Sequence, residues 1–374
     1  MFPYITLYII ILINIALNFN LNLRDQKDIL IVKVFYALMF FLFFLISGLR
    51  YQIGLPDWFN YKDIFLSMSN GNVDDKFEKG YLFLNYVLSK LTNEPQVIFL
   101  VSSLFCSYAL FYFYRKTVGF KLLPLAILIY YTSLYFNLNM YNVRQFIAIG
   151  VIFFGLICLY DNKKVWFVFS VLFASTFHTT ALVFILILPF IRVKVSAKFL
   201  VGVFLLGYLF LFLNVSFADY ILDLLSKIDY FSRIINLYMS MDGLSESRFG
   251  GFLGISERLI TLILAIAYRD RVISAFPKQK DIILISFNMF FIYNFIYIYL
   301  GYYGFFVTRL NLYFAVFVPI VYCYLLSLVS GRTKVFFVVF IIFLMSLKGW
   351  MYIYSQSLTS PSFVPYRSYL EVLF

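Results

Sequence analysis

Residues 34–65 read VFYALMFFLFFLISGLRYQIGLPDWFNYKDIF. The opening VFYALMFFLFFLI is almost pure hydrocarbon, with no alternation of period two and no polar stripe. A segment apolar on every side is a helix for a deep core or a membrane. It then stops abruptly: Arg50 follows within a turn, and Asp57, Tyr61 and Asp63 come soon after. The boundary reads as a membrane surface, with the polar side open to water.

Comparable apolar stretches of roughly 17–25 residues recur along the chain, each long enough to cross a hydrocarbon core of about 30 Å. The 374 residues are 63% hydrophobic and only 13% charged, too little polar surface for a soluble domain of this length. Spans of a β-barrel would be shorter and strictly alternating. The expectation is an all-α polytopic membrane protein with about twelve transmembrane segments. Residues 1–369 read as one transmembrane domain. The start MFPYITLYII has no basic leader and no small-residue cleavage site, so it is expected to stay as the first helix. The final LEVLF, 370–374, reads as the beginning of a protease site left from protein production. Cys106, Cys158 and Cys323 lie in apolar runs and read as small buried hydrophobes, without metal-ligand spacing.

The net charge of +12 is not a nucleic-acid footprint, because its placement is that of a membrane protein. Short basic loops occur at 115–121 (RKTVGFK), 161–164 (DNKK), 192–198 (RVKVSAK), 269–280 (RDRVISAFPKQK) and 331–334 (GRTK). The positive-inside rule puts them all on the cytoplasmic side. Two of them flank VWFVFSVLFASTFHTTALVFILILPF, 165–190, which is too short for two full crossings at 1.5 Å per residue. A short re-entrant hairpin turning near TFHTT is therefore expected. Backbone of that kind is tolerated at depth only where protein buries it or water reaches it. The turn carries His178, the only histidine. The longer loops, 49–95 and 216–252 above all, fall outside and are large enough to cap a cavity.

The outward half also holds arginines that the charge rule disfavours there: Arg50, Arg144, Arg233, Arg248, Arg258 and Arg309. A guanidinium at membrane depth costs a few kcal/mol on insertion scales, so it usually faces a bundle interior or a wet cavity. Arg50 and Arg258 are near enough the interface to snorkel. An ion pair with Asp57 or Glu78 is the structural alternative for Arg144. As a set they favour a cationic, outward-opening cavity, since the planar fork of arginine suits phosphate oxygens. His178 is a candidate general base, its ordinary pKa being near 6.5; the bland alternative is a satisfied structural histidine. Asp57 and Glu78 are the acids to watch in the first outer loop. There is no nucleotide-phosphate loop, zinc-ligand spacing or serine nucleophile elbow.

The order of LRYQIGLPDWFNYKDIF, EKGYLFLN, NVRQFIAIGVIFFG, FHTTALVFILILP and TRLNLYFAVFVP resembles the EpsG-like family of bacterial polysaccharide polymerases, grouped with the Wzy O-antigen polymerases. The likeness runs from residue 1 to about 355. It departs in GLPD, where Leu55-Pro56 stand between the glycine and the aspartate.

The resemblance implies an inverting, metal-independent glycosyltransferase of the bacterial inner membrane, without cofactor. It would transfer an undecaprenyl-pyrophosphate-linked glycan onto a lipid-linked repeat unit at the periplasmic face, with a chain-length regulator as a candidate partner. In that reading Arg50, Arg144, Arg248 and Arg309 hold pyrophosphate, while His178, Asp57 or Glu78 takes the acceptor proton. Tyr61, Tyr81, Gln145 and Tyr303 are candidates for the glycan. An O-antigen ligase would share the donor, and a lipid-linked oligosaccharide flippase would share the basic cavity.

Overall fold

The computed structural model describes residues 1–21, 25–71, 77–213, 252–301, 304–359 and 363–373, with isolated positions between 215 and 232. The regular structure among the described residues is helical, apart from a single bridge between Arg50 and Ser368. Two units are distinguished: Met1–Ile187 with Arg332–Phe374, and Leu188–Gly331.

The first unit begins with α1 (Phe2–Asn20) and α2 (Gln26–Gly48). Pro3 opens α1, where its missing N–H is harmless, and the Asp25 carboxylate caps α2 by accepting from the Lys27 N–H. The cap helices α3 (Asp57–Ser69) and α4 (Lys79–Ser89) follow, then the long α5 (Gln96–Tyr130). Gly119, at φ 76° and ψ 171°, breaks α5 inside the basic loop 115–121, so this rod is two helical segments that meet where the charge rule puts a loop. It continues into an eleven-residue π-helix, Tyr131–Tyr141, then α6 (Val143–Tyr160) and α7 (Lys164–Ser175). After the TFHTT turn the return limb is only a 3-10 turn (Thr179–Leu182) and the five-residue α8 (Val183–Ile187), shorter than the helix expected there.

In the second unit, α9 (Ala197–Phe212), α10 (Phe252–Ala275) and α11 (Lys280–Leu300) precede α12 (Gly304–Ala315) and α13 (Val318–Ser327). The apolar run 304–327 is divided into these two helices, because Pro319 in the first turn of α13 has no N–H to give to the helix before it. The last long helix, α14 (Gly331–Thr359), lies almost wholly in the first unit. Among the described residues seven helical stretches are long and apolar enough to cross a membrane, while α7 and α9 are apolar but shorter.

Which face of a helix meets lipid follows from exposure. On α2, Leu30, Val34, Leu38 and Phe41 recur every three or four residues and are 41–63% exposed, whereas Val32, Met39 and Phe43 are fully buried. An apolar stripe of that length facing water would be a large exposed patch; facing acyl chains it costs nothing. Helices are tied together by hydroxyls and amides instead. The Tyr131 hydroxyl donates to the Tyr4 carbonyl at 2.9 Å, Tyr135 to Phe43 O at 2.9 Å, and Gln96 Nε2 to Gly48 O at 2.6 Å. In the second unit Asn288 donates to the Ile191 and Val193 carbonyls.

The stripe is directly testable. Leu38→Arg should lower membrane insertion by about 2.5–3.5 kcal/mol, read as the glycosylated fraction in a translocon reporter, while Leu38→Phe leaves it unchanged.

Candidate functional site

The site is built where α2 ends. Beyond Gly48 the chain turns through Arg50 and Gly54 into α3. Gly54 has φ +84°, and a Cβ there would lie 2.2 Å from the Met140 carbonyl oxygen, so only glycine lets the turn touch the π-helix end. Trp58 stacks on Phe99 of α5, with ring centroids 5.8 Å apart, and the Tyr61 hydroxyl donates to the Tyr141 carbonyl at 3.3 Å. The first outer loop is thereby a helical cap seated on the bundle.

Arg144, in the first turn of α6, forms an ion pair with Glu78, the residue before α4. Its guanidinium lies over Phe77 at 4.9 Å and near Tyr81 at 6.0 Å. The other carboxylate oxygen of Glu78 accepts from the Thr179 N–H at 3.4 Å. Glu78 thus joins the π-helix–α6 junction to the TFHTT turn. A second link lies beside it: the Gly80 N–H donates to the Thr176 carbonyl at 2.8 Å. A Cβ on Gly80 would stand 2.2 Å from Thr176 Oγ1 and 2.8 Å from its carbonyl oxygen. Between these contacts His178 holds an extended backbone, φ −157° and ψ 112°, and its Nδ1 is 2.6 Å from the Thr180 hydroxyl, a contact that sets the ring's orientation.

Arg50 forms the floor. It is 1% exposed, stacks on Phe99 at 4.5 Å and donates to the Ser47 carbonyl. The segment around Ser368 closes over it: Tyr369 N–H donates to Leu49 O at 2.7 Å, and Tyr51 N–H to Arg367 O at 2.9 Å. Burial pushes the Arg50 guanidinium down to about 10, with tyrosines around it opposing the shift, so it stays cationic at neutral pH. Tyr61 and Tyr81 are buried, and burial raises both phenols above their ordinary value despite the nearby arginines. They enter the site as neutral hydrogen-bonding groups.

The structure therefore gathers Arg50, Tyr61, Glu78, Tyr81, Arg144 and the His178 turn in the first unit. Asp57 opens α3, where a carboxylate favours the helix dipole, and it lies one turn from Tyr61. Gln145 is 1% exposed on the core side of α6. Arg309 lies on α12 of the second unit and is half-buried. Arg248 and Tyr303 lie outside the described residues. The ion pair named from the sequence as the structural alternative for Arg144 is the one observed, and its partner is Glu78.

Two features escaped the sequence reading. The π-helix carries Tyr131, Tyr135 and the carbonyls that seat the cap, and no simple period announces it. In the second unit, Arg258 packs between the rings of Tyr293 and Tyr297, at 4.5 and 3.8 Å, instead of snorkelling. Beside it the buried Glu257 accepts from the Tyr322 hydroxyl at 2.5 Å. The i, i+4 pair Tyr293 and Tyr297 facing one cation was the available signal.

The tight contact at Gly80 yields a stability test. Gly80→Val should destabilise the protein by about 1–3 kcal/mol, seen as a lower melting temperature in detergent. Gly202→Val, where nothing lies within 4 Å of the added Cβ, should change it little.

No curated protein and no solved structure gives a match to the chain. The profile of the EpsG family matches residues 33–368, spanning the cap, the Arg144 junction, the His178 turn and the strand-like closure over Arg50. With a membrane-helical fold this supports a role of the polysaccharide-polymerase type. The chain belongs to the EpsG family.

Proposed function

We propose that the protein lengthens a bacterial surface polysaccharide by transferring a polyprenyl-pyrophosphate-linked glycan onto a second lipid-linked repeat unit. The reaction takes place at the outer face of the cytoplasmic membrane, in the manner of Wzy polymerases. The observation that carries the reading is the Arg144–Glu78 pair set beside the His178 turn. A guanidinium held there by a carboxylate and two aromatic rings is pre-organised, and it needs no reorganisation when charge grows on a bound group.

In this reading the acceptor hydroxyl oxygen attacks the anomeric carbon from the face opposite the pyrophosphate. The new glycosidic C–O bond forms as the bond to pyrophosphate breaks, and the electron pair leaves on a phosphate oxygen facing Arg144. Arg50, enclosed as it is, acts in this conformation through Phe99, which it stacks on and which meets the Tyr61 ring edge to face. The acceptor proton passes to His178, whose ring is oriented by Thr180. Asp57 is the second candidate base. Glu78 has both oxygens engaged and positions Arg144 and the turn. The configuration at the anomeric carbon inverts, and the guanidinium takes the charge-neutralising role often given to a metal.

The test uses purified protein, its lipid-linked repeat and a gel that resolves polymer length. Arg144→Lys keeps the charge but loses the bidentate fork and should cut ladder formation by about 10²–10³, with normal amounts in the membrane. His178→Ala should cut it by about 10²–10⁴. Unchanged ladders in either variant remove that residue from the chemistry.

A further inference from the structure

One cleft in the cap lies beside the ion pair but belongs to neither it nor the His178 turn. It sits between α3 and α4 and offers a volume of about 190 Å³, ample for several waters or one small ligand. Asn60, Asp63 and Ser67 form one wall, recurring at the helical spacing of three and four residues. Ile64, Met68 and Leu82 are 5–7% exposed and make the floor. Phe77 closes the end nearest α6.

The cleft sets an amide, a carboxylate and a hydroxyl beside an apolar floor. Together they can donate and accept several hydrogen bonds. An apolar base with a few polar groups at its rim is the general form of a small-ligand site. A pyranose matches that form, with a C–H face for Phe77 and the floor and hydroxyls for the rim. The helices α3 and α4, of 13 and 11 residues, are too short to cross a bilayer. Asp63 on the rim, with no cation among the described lining residues, disfavours an anionic sugar.

The geometry points to this cleft as the subsite for a neutral monosaccharide, the sugar next to pyrophosphate in the lipid-linked substrate. The inference rests on the polymerase reading. Phe77 provides the link, for the ring that ends the cleft also lies 4.9 Å from the Arg144 guanidinium. A phosphate on Arg144 and a sugar on Phe77 are neighbours in one molecule.

The experiment uses the full chain in lipid nanodiscs and saturation-transfer NMR with free galactose, N-acetylglucosamine and glucuronate as probes. At least one neutral sugar should give a transfer signal and glucuronate none. Ser67→Trp, which fills the cleft, should abolish the signal. Asn60→Ala and Asp63→Ala, at exposed positions that do not threaten folding, should each weaken binding about five- to tenfold. In the polymer assay those two should raise KM for the repeat unit by a similar factor with kcat little changed. Arg144→Ala should lose the ladder and keep the sugar signal, which separates the two readings. A ladder that survives Arg144→Ala while Ser67→Trp loses the signal would overturn the chemistry and leave the subsite standing. Absence of any neutral-sugar signal, a signal that persists in Ser67→Trp, or glucuronate binding as well as galactose would overturn the subsite.

Discussion

The ion pair between Arg144 and Glu78 holds together three parts of the chain that are far apart in sequence. Glu78 precedes the second cap helix, Arg144 opens the helix after the π-segment, and the same carboxylate accepts from the turn that carries the lone histidine. Both side chains are about four-fifths buried, so screening by water is weak and loss of either partner leaves a charge poorly compensated. The contact also decides where the guanidinium points. Phe77 and Tyr81 lie against it, at 4.9 and 6.0 Å.

This arrangement explains why the outer loop is folded. A free loop of that length could carry a carboxylate to Arg144, but it would lose much conformational entropy in doing so. The cap instead uses two helices, a Trp58–Phe99 stack and the close approach of Gly54 to Met140, so that Glu78 is delivered by a preformed body. Gly80 does the same for the histidine turn, since its missing side chain is what lets α4 touch Thr176.

Most of the fold was legible because a bilayer imposes a strong pattern: apolar runs, basic short loops and a sharp polar boundary at Arg50. The break in α5 fell within the basic loop where charge put it, and the turn at TFHTT was fixed by the shortness of the segment between two such loops. The return limb after His178 was less legible, because LVFILILP is apolar enough for a helix and only tertiary contacts decide how much of it becomes one. The π-helix could not be read at all, as it depends on hydroxyl-to-carbonyl contacts such as Tyr131 to Tyr4. At the site, chemistry nominated Arg144, Glu78 and His178 singly. Their joining through Thr179 and Gly80 is a tertiary contact between segments about 100 residues apart, which no local pattern encodes. The Arg50 fork, expected in an open cavity, is enclosed because the chain near Ser368 returns to pair with it, a contact more than 300 residues distant in sequence.

A charge exchange separates a pair that only holds the fold from one that also serves the reaction. Arg144→Glu and Glu78→Arg, made singly and together, should be compared by melting temperature and by polymer ladder. The account predicts that each single variant is destabilised, and that the double variant regains much of its thermal stability without regaining polymer, because the guanidinium has moved away from its place on α6. Recovery of polymer along with stability would contradict it, for the pair would then be a structural strut with no part in the chemistry.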